Sequence, residues 1–332
     1  MAECPHVDHL LVLPRLRMQN ANALSSPQTH GFPAITAFIG LMWALQRKTL
    51  AAGLDLRFHA VGVVCHAFEE QVTDSPFVRA FRLTRNPVGR DGGTAAIVEE
   101  GRIHLEISLV LGVTSPQLDA HGLDDGSAAA AIAVLVRALL DNLRIAGGSL
   151  IPSRVSAARQ QPFFVALKGN TEDRALSFEK ARQRLLPGFA LVARDDLLDA
   201  RLRALQADDP HASRLDAWLS LSRINWRYRA ESETERAGWE HDPHSLGWIV
   251  PIPVGYATLS GPHAPGSVAN ARDPQAPFAF VESLYSVGQW LGPHRLHSPQ
   301  QLLWYPQHAE ELGLYRCRND YAASAAAHYD FE

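Results

Sequence analysis

Alternation is the strongest signal in this chain: Ile103, Leu105, Ile107, Leu109 and Leu111 take every second position, with Arg102, His104, Glu106 and Ser108 between them. A period of two predicts a strand with one face turned to a core. Residues 10 to 18, LLVLPRLRM, place Leu16 and Met18 on one face and Arg15 and Arg17 on the other, which predicts a half-buried strand. From Pro33 the period changes. Ile35, Phe38, Ile39, Met42 and Leu45 recur at helical spacing, and proline suits a first helical position, so residues 33 to 48 are expected to form an amphipathic helix. LRFHAVGVVCH, residues 56 to 66, is rich in β-branched and aromatic residues and predicts another strand. SAAAAIAVLVRALLDNLRIAGG predicts a second helix, with Ser127 as its cap and Gly147 and Gly148 closing it, before a short SLIP strand.

The resulting order, β-α-β-β-α-β, is the ferredoxin-like split pattern, an α+β arrangement shared by RNA-recognition domains. A hairpin would join its second and third strands in a few residues, yet residues 70 to 100 stand there, beyond the usual loop range. The expected organisation is a palm over residues 1 to 150 carrying this insertion, and an irregular α+β extension over residues 151 to 332. In the extension, KARQRLLPGFALVARDDLL predicts a helix, a proline-glycine break, a short strand and an acidic helix start. WIVPIPVGY reads as an edge strand, because its prolines cannot donate to a ladder. Residues 223 to 246 mix charge, tryptophan and glycine with no period, as a surface segment does.

Composition narrows the function. The chain of 332 residues is 46% hydrophobic, ample for a packed core. No run of about 18 apolar residues occurs, and MAECPHVDH places charge and proline where an export signal would be apolar, so a cytoplasmic protein without membrane contact is expected. Cys4, Cys65 and Cys317 are far apart and form no C-x-x-C pair, which predicts free thiols. A net charge of −4 means that any nucleic-acid site must be local. Lysine occurs only at Lys48, Lys168 and Lys180; the other cations are arginines, whose planar fork suits phosphate and base edges.

No phosphate-binding loop, dinucleotide fingerprint, nucleophile elbow or H-E-x-x-H motif is present. The H-x-x-H pairs His6 with His9, His241 with His244 and His294 with His297 lack further converging ligands in sequence, so neither a metal nor another cofactor is expected. The insertion carries Arg79, Arg82, Arg85 and Arg90, opposed from there on only by Asp91 before Glu99 and Glu100, with Thr84, Asn86 and Thr94 as neutral hydrogen-bonding groups. Gly92 and Gly93 are expected to expose backbone N–H groups to a phosphate. Gln19, Asn20, Asn22, Ser25 and Ser26 form a second polar run that either reads base edges or satisfies its own backbone. His294 and Arg295 beside Trp290 suggest a stacking and phosphate-contacting corner. The strand RIHLEISL has no aromatic RNA-stacking motif, so binding would use the loops and the insertion.

The segments LPRLRMQNANALSSPQTHGFPAITAF, FRLTRNPVGRDGGTAAIVEEGRIHLEISLVLG, LRIAGGSLIP, QRLLPGFALVARDDLL, GWIVPIPVGYATLS, NARDPQAPFAFVESLYSVGQWLGPHR and LLWY, in this order, closely resemble the Cas-five-type subunits of type I-F CRISPR surveillance (Csy) complexes. The resemblance spans nearly the whole chain; the first nine residues, 115 to 126, 153 to 175 and 229 to 246 do not carry it. It implies a non-catalytic RNA-binding subunit with a ferredoxin-like palm of the RAMP type and a protruding thumb, here residues 70 to 100. It further implies a heterodimer with the large Csy subunit that holds the 5′ handle of the CRISPR RNA, next to the first backbone subunit and near the entry of target DNA. The resemblance also implies phage anti-CRISPR proteins as a further class of partner. Within the matched segments the RNA contacts expected are Arg15, Gln19, Asn20, Asn22, Ser25, Ser26, Arg82, Thr84, Arg85, Asn86, Arg90, Gly92, Gly93, Gly148, Ser149, Arg272, Trp290, His294 and Arg295. Trp290, Trp304 and Tyr305 would also suit partner contacts, with core packing the competing reading.

Two other classes compete with this reading. Relatives in other CRISPR types cut precursor RNA, and a metal-independent ribonuclease would draw its acid and base from His66, His104 or His294. A protein scaffold that never touches RNA is the third.

Overall fold

The computed structural model describes residues 3–85, 88–89, 91–121, 126–224, 226–229, 237–241 and 247–323. Asn86, Arg90 and His244 lie outside the described residues.

The first half builds β1 (His9–Asn22), α1 (Ile35–Ala51), β2 (Arg57–Glu70), β3 (Arg102–Thr114), α2 (Gly126–Leu140) and β4 (Gly148–Ile151). In the sheet these strands lie in the order β4-β1-β3-β2, every neighbouring pair antiparallel. Helix α1 forms because its apolar residues share one face: Ile35, Phe38, Ile39, Met42 and Leu45 are all buried. It starts at Ile35, two residues after Pro33, and Ser25 Oγ accepts from the Ala34 N–H at 2.9 Å just ahead of it. Helix α2 starts at Gly126, so Ser127 lies inside the helix instead of capping it. Gly147 and Gly148 do not close that helix either. Residues 144–145 pair with β4, and Ala146 (φ 49°) and Gly147 (φ 79°) make the two-residue turn between them.

The second half joins the same sheet. It contributes α3 (Thr171–Gln183), β5 (Phe189–Ala193), α4 (Asp195–Asp208), α5 (Arg214–Leu221), β6 (Trp248–Thr258), β7 (Val281–Leu291), β8 (Trp304–Ala309) and β9 (Leu314–Asn319). Strand β5 pairs with β2, and the ladder continues β5-β7-β6-β9-β8 until Trp304 of β8 bridges back to Val61 of β2. With a short strand at 163–166 on β1, the sheet counts eleven strands among the described residues. The apolar segments of the extension are therefore regular strands of one shared sheet.

This second layer explains why β1 is more than half buried. Leu11 and Leu13 face the core beneath α1 and α2, while Leu10 and Val12 face a second core shared with Phe178, Ala181 and Leu185 from the α3 region. Each large apolar side chain buried in this way contributes about 1.5–3 kcal/mol. Arg15 is buried too, because the ladder between β1 and β3 is bulged between Leu13 and Leu16 and Arg15 takes φ 53° within the bulge. Trp290, Trp304 and Tyr305 are core residues: Trp304 donates to Leu191 O at 2.8 Å and Tyr305 to Asp320 at 2.8 Å.

The insertion between β2 and β3 stands apart from the main sheet as two small hairpins, Val72–Asp74 with Arg79–Phe81 and Leu83–Arg85 with Ile97–Glu99. Its surface is apolar in places, with Phe77 97% exposed.

Candidate nucleic-acid interface

At the root of the insertion lies a concavity of about 480 Å³ that collects residues from five separate segments. Gln19 and Asn20 reach it because a second bulge in the β1 to β3 ladder falls between Met18 and Ala21, with Asn20 in the left-handed region at φ 55°. The Asn20 N–H donates to His104 Nδ1 at 3.1 Å and fixes that turn of chain. Across the sheet, Gln19 lies opposite Ser149, and Ser149 opposite Arg144, so the three form one cross-strand row.

The insertion supplies the other wall. Arg82 donates to Gln71 Oε1 at 2.8 Å, and its backbone N–H donates to Gln71 O at 3.2 Å. Glu100 Oε2 accepts from Thr84 at 2.9 Å and from Arg102 at 2.5 Å. Three arginines therefore face one glutamate around this concavity. Arg144 and Gly147 also line a second concavity of about 800 Å³, which holds Asn22, Ser25 and Arg272. The two concavities thus adjoin along the Arg144 to Gly147 turn. Among the described residues the guanidinium groups of Arg144 and Arg272 have no hydrogen-bonding or ionic partner. A cationic group of this kind, exposed beside polar neutral side chains, suits a phosphate backbone.

The sequence-predicted residues divide accordingly. Gln19, Asn20, Arg82, Thr84 and Ser149 meet in the first concavity, and Asn22, Ser25 and Arg272 in the second. Part of the polar run satisfies its own surroundings: Asn22 bonds Leu24 in both directions, and Ser26 Oγ bonds Thr29 Oγ1 at 2.7 Å. Gly148 is a packing glycine, since a Cβ there would stand 2.8 Å from Gln19 O. The Gly92 and Gly93 N–H groups are not open to a ligand: Gly92 donates to Gly89 O and Gly93 to Asp91 Oδ1, each at 3.0 Å. Arg85 ends its hairpin strand, away from the main sheet.

Other expectations fall elsewhere. Arg15 is committed inside the fold to Glu106 at 3.1 Å and to the carbonyls of Leu186 and Pro187. Trp290 packs edge-on against Phe32 at 4.9 Å, while His294 and Arg295 sit exposed on a short 3-10 turn after β7. Those three therefore do not make one corner. Sequence reading missed Gln71, Arg102 and above all Arg144; the signal for the last was the A-G-G turn that follows it and folds it back onto β4.

The histidines named for RNA cleavage stand in different settings. His66 Nδ1 donates to Pro187 O at 2.6 Å, and its Nε2 accepts from Ser108 Oγ at 2.7 Å. Burial, reinforced by nearby Arg15, pushes its imidazole down to about 4 against the opposing pull of the Pro187 carbonyl and Glu106. His104 accepts from Asn20 as above. Among the described residues no three His, Cys, Asp or Glu side chains gather as a metal site requires, and no helix is long and apolar enough to cross a membrane.

Known proteins match this chain over most of its length. The family model described as CRISPR-associated protein (Cas_Csy2) matches residues 11–317. The CRISPR-associated protein Csy2 of Pseudomonas aeruginosa (strain UCBPP-PA14) is 46% identical over 317 residues, covering 92% of this chain and 94% of that protein. With a 46% identical relative aligned through both halves of the sheet and through the arginine-lined concavities, the chain belongs to the Csy2 family of CRISPR-associated proteins.

Proposed function

We propose that this chain is a non-catalytic RNA-binding subunit of a type I-F surveillance complex, holding the 5′ handle of the CRISPR RNA together with the large Csy subunit. The observation that carries the reading is the pair of adjoining concavities at the root of the insertion, joined along the turn that bears Arg144. A single strand has a narrow, flexible backbone, and separated arginines with neutral polar groups between them match its repeating phosphates and exposed base edges. The strand order β4-β1-β3-β2 supports a ferredoxin-like palm, with the insertion as a RAMP-type thumb lying across the RNA beside the first backbone subunit. Guide sequence is then read by base pairing, and target DNA meets the subunit only through the assembly. A chain of net charge −4 suits such sharing, because the assembly as a whole neutralises the phosphates. The work is cytoplasmic, and phage anti-CRISPR proteins are a further class of partner.

Co-expression with the large Csy subunit and a CRISPR RNA tests this reading. The expected product is a one-to-one heterodimer whose native mass and nucleic-acid absorbance include the RNA. A chain that purifies free of both overturns it. Incubating the product with repeat RNA in EDTA is expected to give no defined fragment; a fragment lost on His66→Ala, His104→Ala or His294→Ala would establish the ribonuclease instead.

A further inference from the structure

The sheet carries a third concavity, whose chemistry is the reverse of the arginine-lined basin. Gln71 and Arg102 line the arginine-rich basin, whereas their chain neighbours Glu70 and Ile103, paired across β2 and β3, line a cleft of about 500 Å³. Successive residues of extended chain point to opposite faces, so nucleic acid lying in the basin does not fill this cleft. Three aromatic side chains rim it: Phe68 is 60% exposed, Phe189 47% and Trp248 48%. Phe189 and Trp248 meet edge to face at 5.5 Å, and Trp290 closes the floor 6.1 Å from Trp248. Single exposed aromatics are ordinary on a surface, but three converging on one concavity mark a binding site.

Charge identifies the occupant. No lysine or arginine lines the cleft, and its one carboxylate is Glu70. Glu70 Oε1 is shielded from solvent and has no hydrogen bond; the His30 ring nitrogen Nε2 stands 3.5 Å away. A nucleotide would bring its phosphates toward that carboxylate with no lysine or arginine lining the cleft to offset them. A purely apolar anchor would leave the shielded oxygen unbonded. Aromatic faces attract cations, and the methylene stem of a basic side chain packs on apolar walls while its head reaches a carboxylate.

We infer that this cleft receives an arginine or lysine side chain presented by a neighbouring protein subunit, with Glu70 as its counter-ion and the Phe68, Phe189 and Trp248 rings as its walls. The inference rests on the reading that the chain works within a multi-subunit assembly. It separates two duties by site: the arginine-lined basin holds RNA and the aromatic cleft holds protein.

The test uses the assembled complex. Phe68→p-benzoylphenylalanine, irradiated in the complex, is expected to crosslink to a peptide of a partner subunit that contains a basic residue. Glu70→Gln and Trp248→Ala are each expected to speed loss of that subunit about tenfold, an effect near 1.4 kcal/mol, while RNA stays with the remaining complex. Glu70→Arg should release the subunit, and reversing the crosslinked partner's basic residue to glutamate should restore it. Adducts on RNA, adducts only within this chain, or variants that hold the partner as the wild type does would overturn the inference. If the variants shed RNA but keep the protein, the cleft is a nucleobase site and the inference fails while the RNA-binding role stands. A wild-type chain that purifies without protein or RNA overturns both.

Discussion

Arg15 and His66 converge on one oxygen: the Arg15 guanidinium donates to Pro187 O at 3.3 Å, and His66 Nδ1 donates to the same atom at 2.6 Å. Ser108 closes the circuit, its hydroxyl accepting from the Arg15 N–H at 3.1 Å and donating to His66 Nε2 at 2.7 Å. Through Pro187 this network ties the chain leading into β5 to strands β1, β2 and β3, so it fastens the two halves of the sheet together. Two residues that read as binding and catalytic candidates in sequence are spent on architecture.

Arg15→Ala should therefore cost stability before it costs RNA binding. The substitution strands Glu106, whose side chain is only 17% exposed, without its counter-ion. Removing one partner of such a pair costs about 3–5 kcal/mol, because the remaining charge stays poorly solvated. Urea melts should show a loss of that size, and the salt dependence of RNA binding by the folded fraction should match the wild type.

His66 gives the protein an acid-sensitive component. Its folded value, about 4, lies below the ordinary 6.5 of an exposed imidazole, so the unfolded chain binds a proton at a higher pH than the folded one. The stability linked to this group is complete above about pH 6.5 and is lost as pH falls toward 4. The loss is at most about 3 kcal/mol, at about 1.4 kcal/mol per pKa unit. Melts at pH 7 and pH 4.5 should differ by more in the wild type than in His66→Gln, which keeps a donor and an acceptor but does not titrate. Equal differences would mean that His66 is solvated and free.

Local periodicity made the first half legible. The helix over Ile35 to Leu45 and the alternation from Ile103 to Leu111 depend on neighbours a few residues away, and both stand where the pattern puts them. The closing of β5 to β9 into one ladder with β2 depends on pairings across more than a hundred residues, such as Ala190 with Val64 and Trp304 with Val61, and no local pattern encodes those. The polar run at Gln19 and Asn20 was legible as a candidate because both are polar in an apolar strand. The burial of Arg15, set by the bulge between Leu13 and Leu16, was not. Nor was the burial of Trp304, since an aromatic residue suits a core and an interface equally.

Gly148→Ala probes whether β4 must press against β1 to build the concavity. A Cβ at this position would lie 2.8 Å from Gln19 O and 2.9 Å from Ala21 Cα, and backbone atoms cannot step aside as a flexible side chain can. Overpacking of this kind costs about 1–3 kcal/mol. The strain falls on the row of Arg144, Ser149 and Gln19, so RNA affinity should drop together with the melting midpoint. A variant that melts like the wild type yet binds RNA more weakly would instead point to direct contact at Gly148.

Arg144 separates phosphate binding from architecture most cleanly. Its guanidinium has no partner among the described residues, so Arg144→Gln removes a charge without stranding another. Stability should stay within about 0.5 kcal/mol of the wild type, as for surface substitutions generally. If the turn at Arg144 carries the RNA backbone between the two concavities, the substitution weakens binding of every handle sequence alike and lowers the slope of log affinity against log salt by about 0.7, the contribution of one single-strand phosphate contact. Arg82→Gln should behave differently, because Arg82 also holds Gln71 at the root of the insertion and its loss loosens the wall itself. An unchanged salt slope in Arg144→Gln would take the RNA out of this basin.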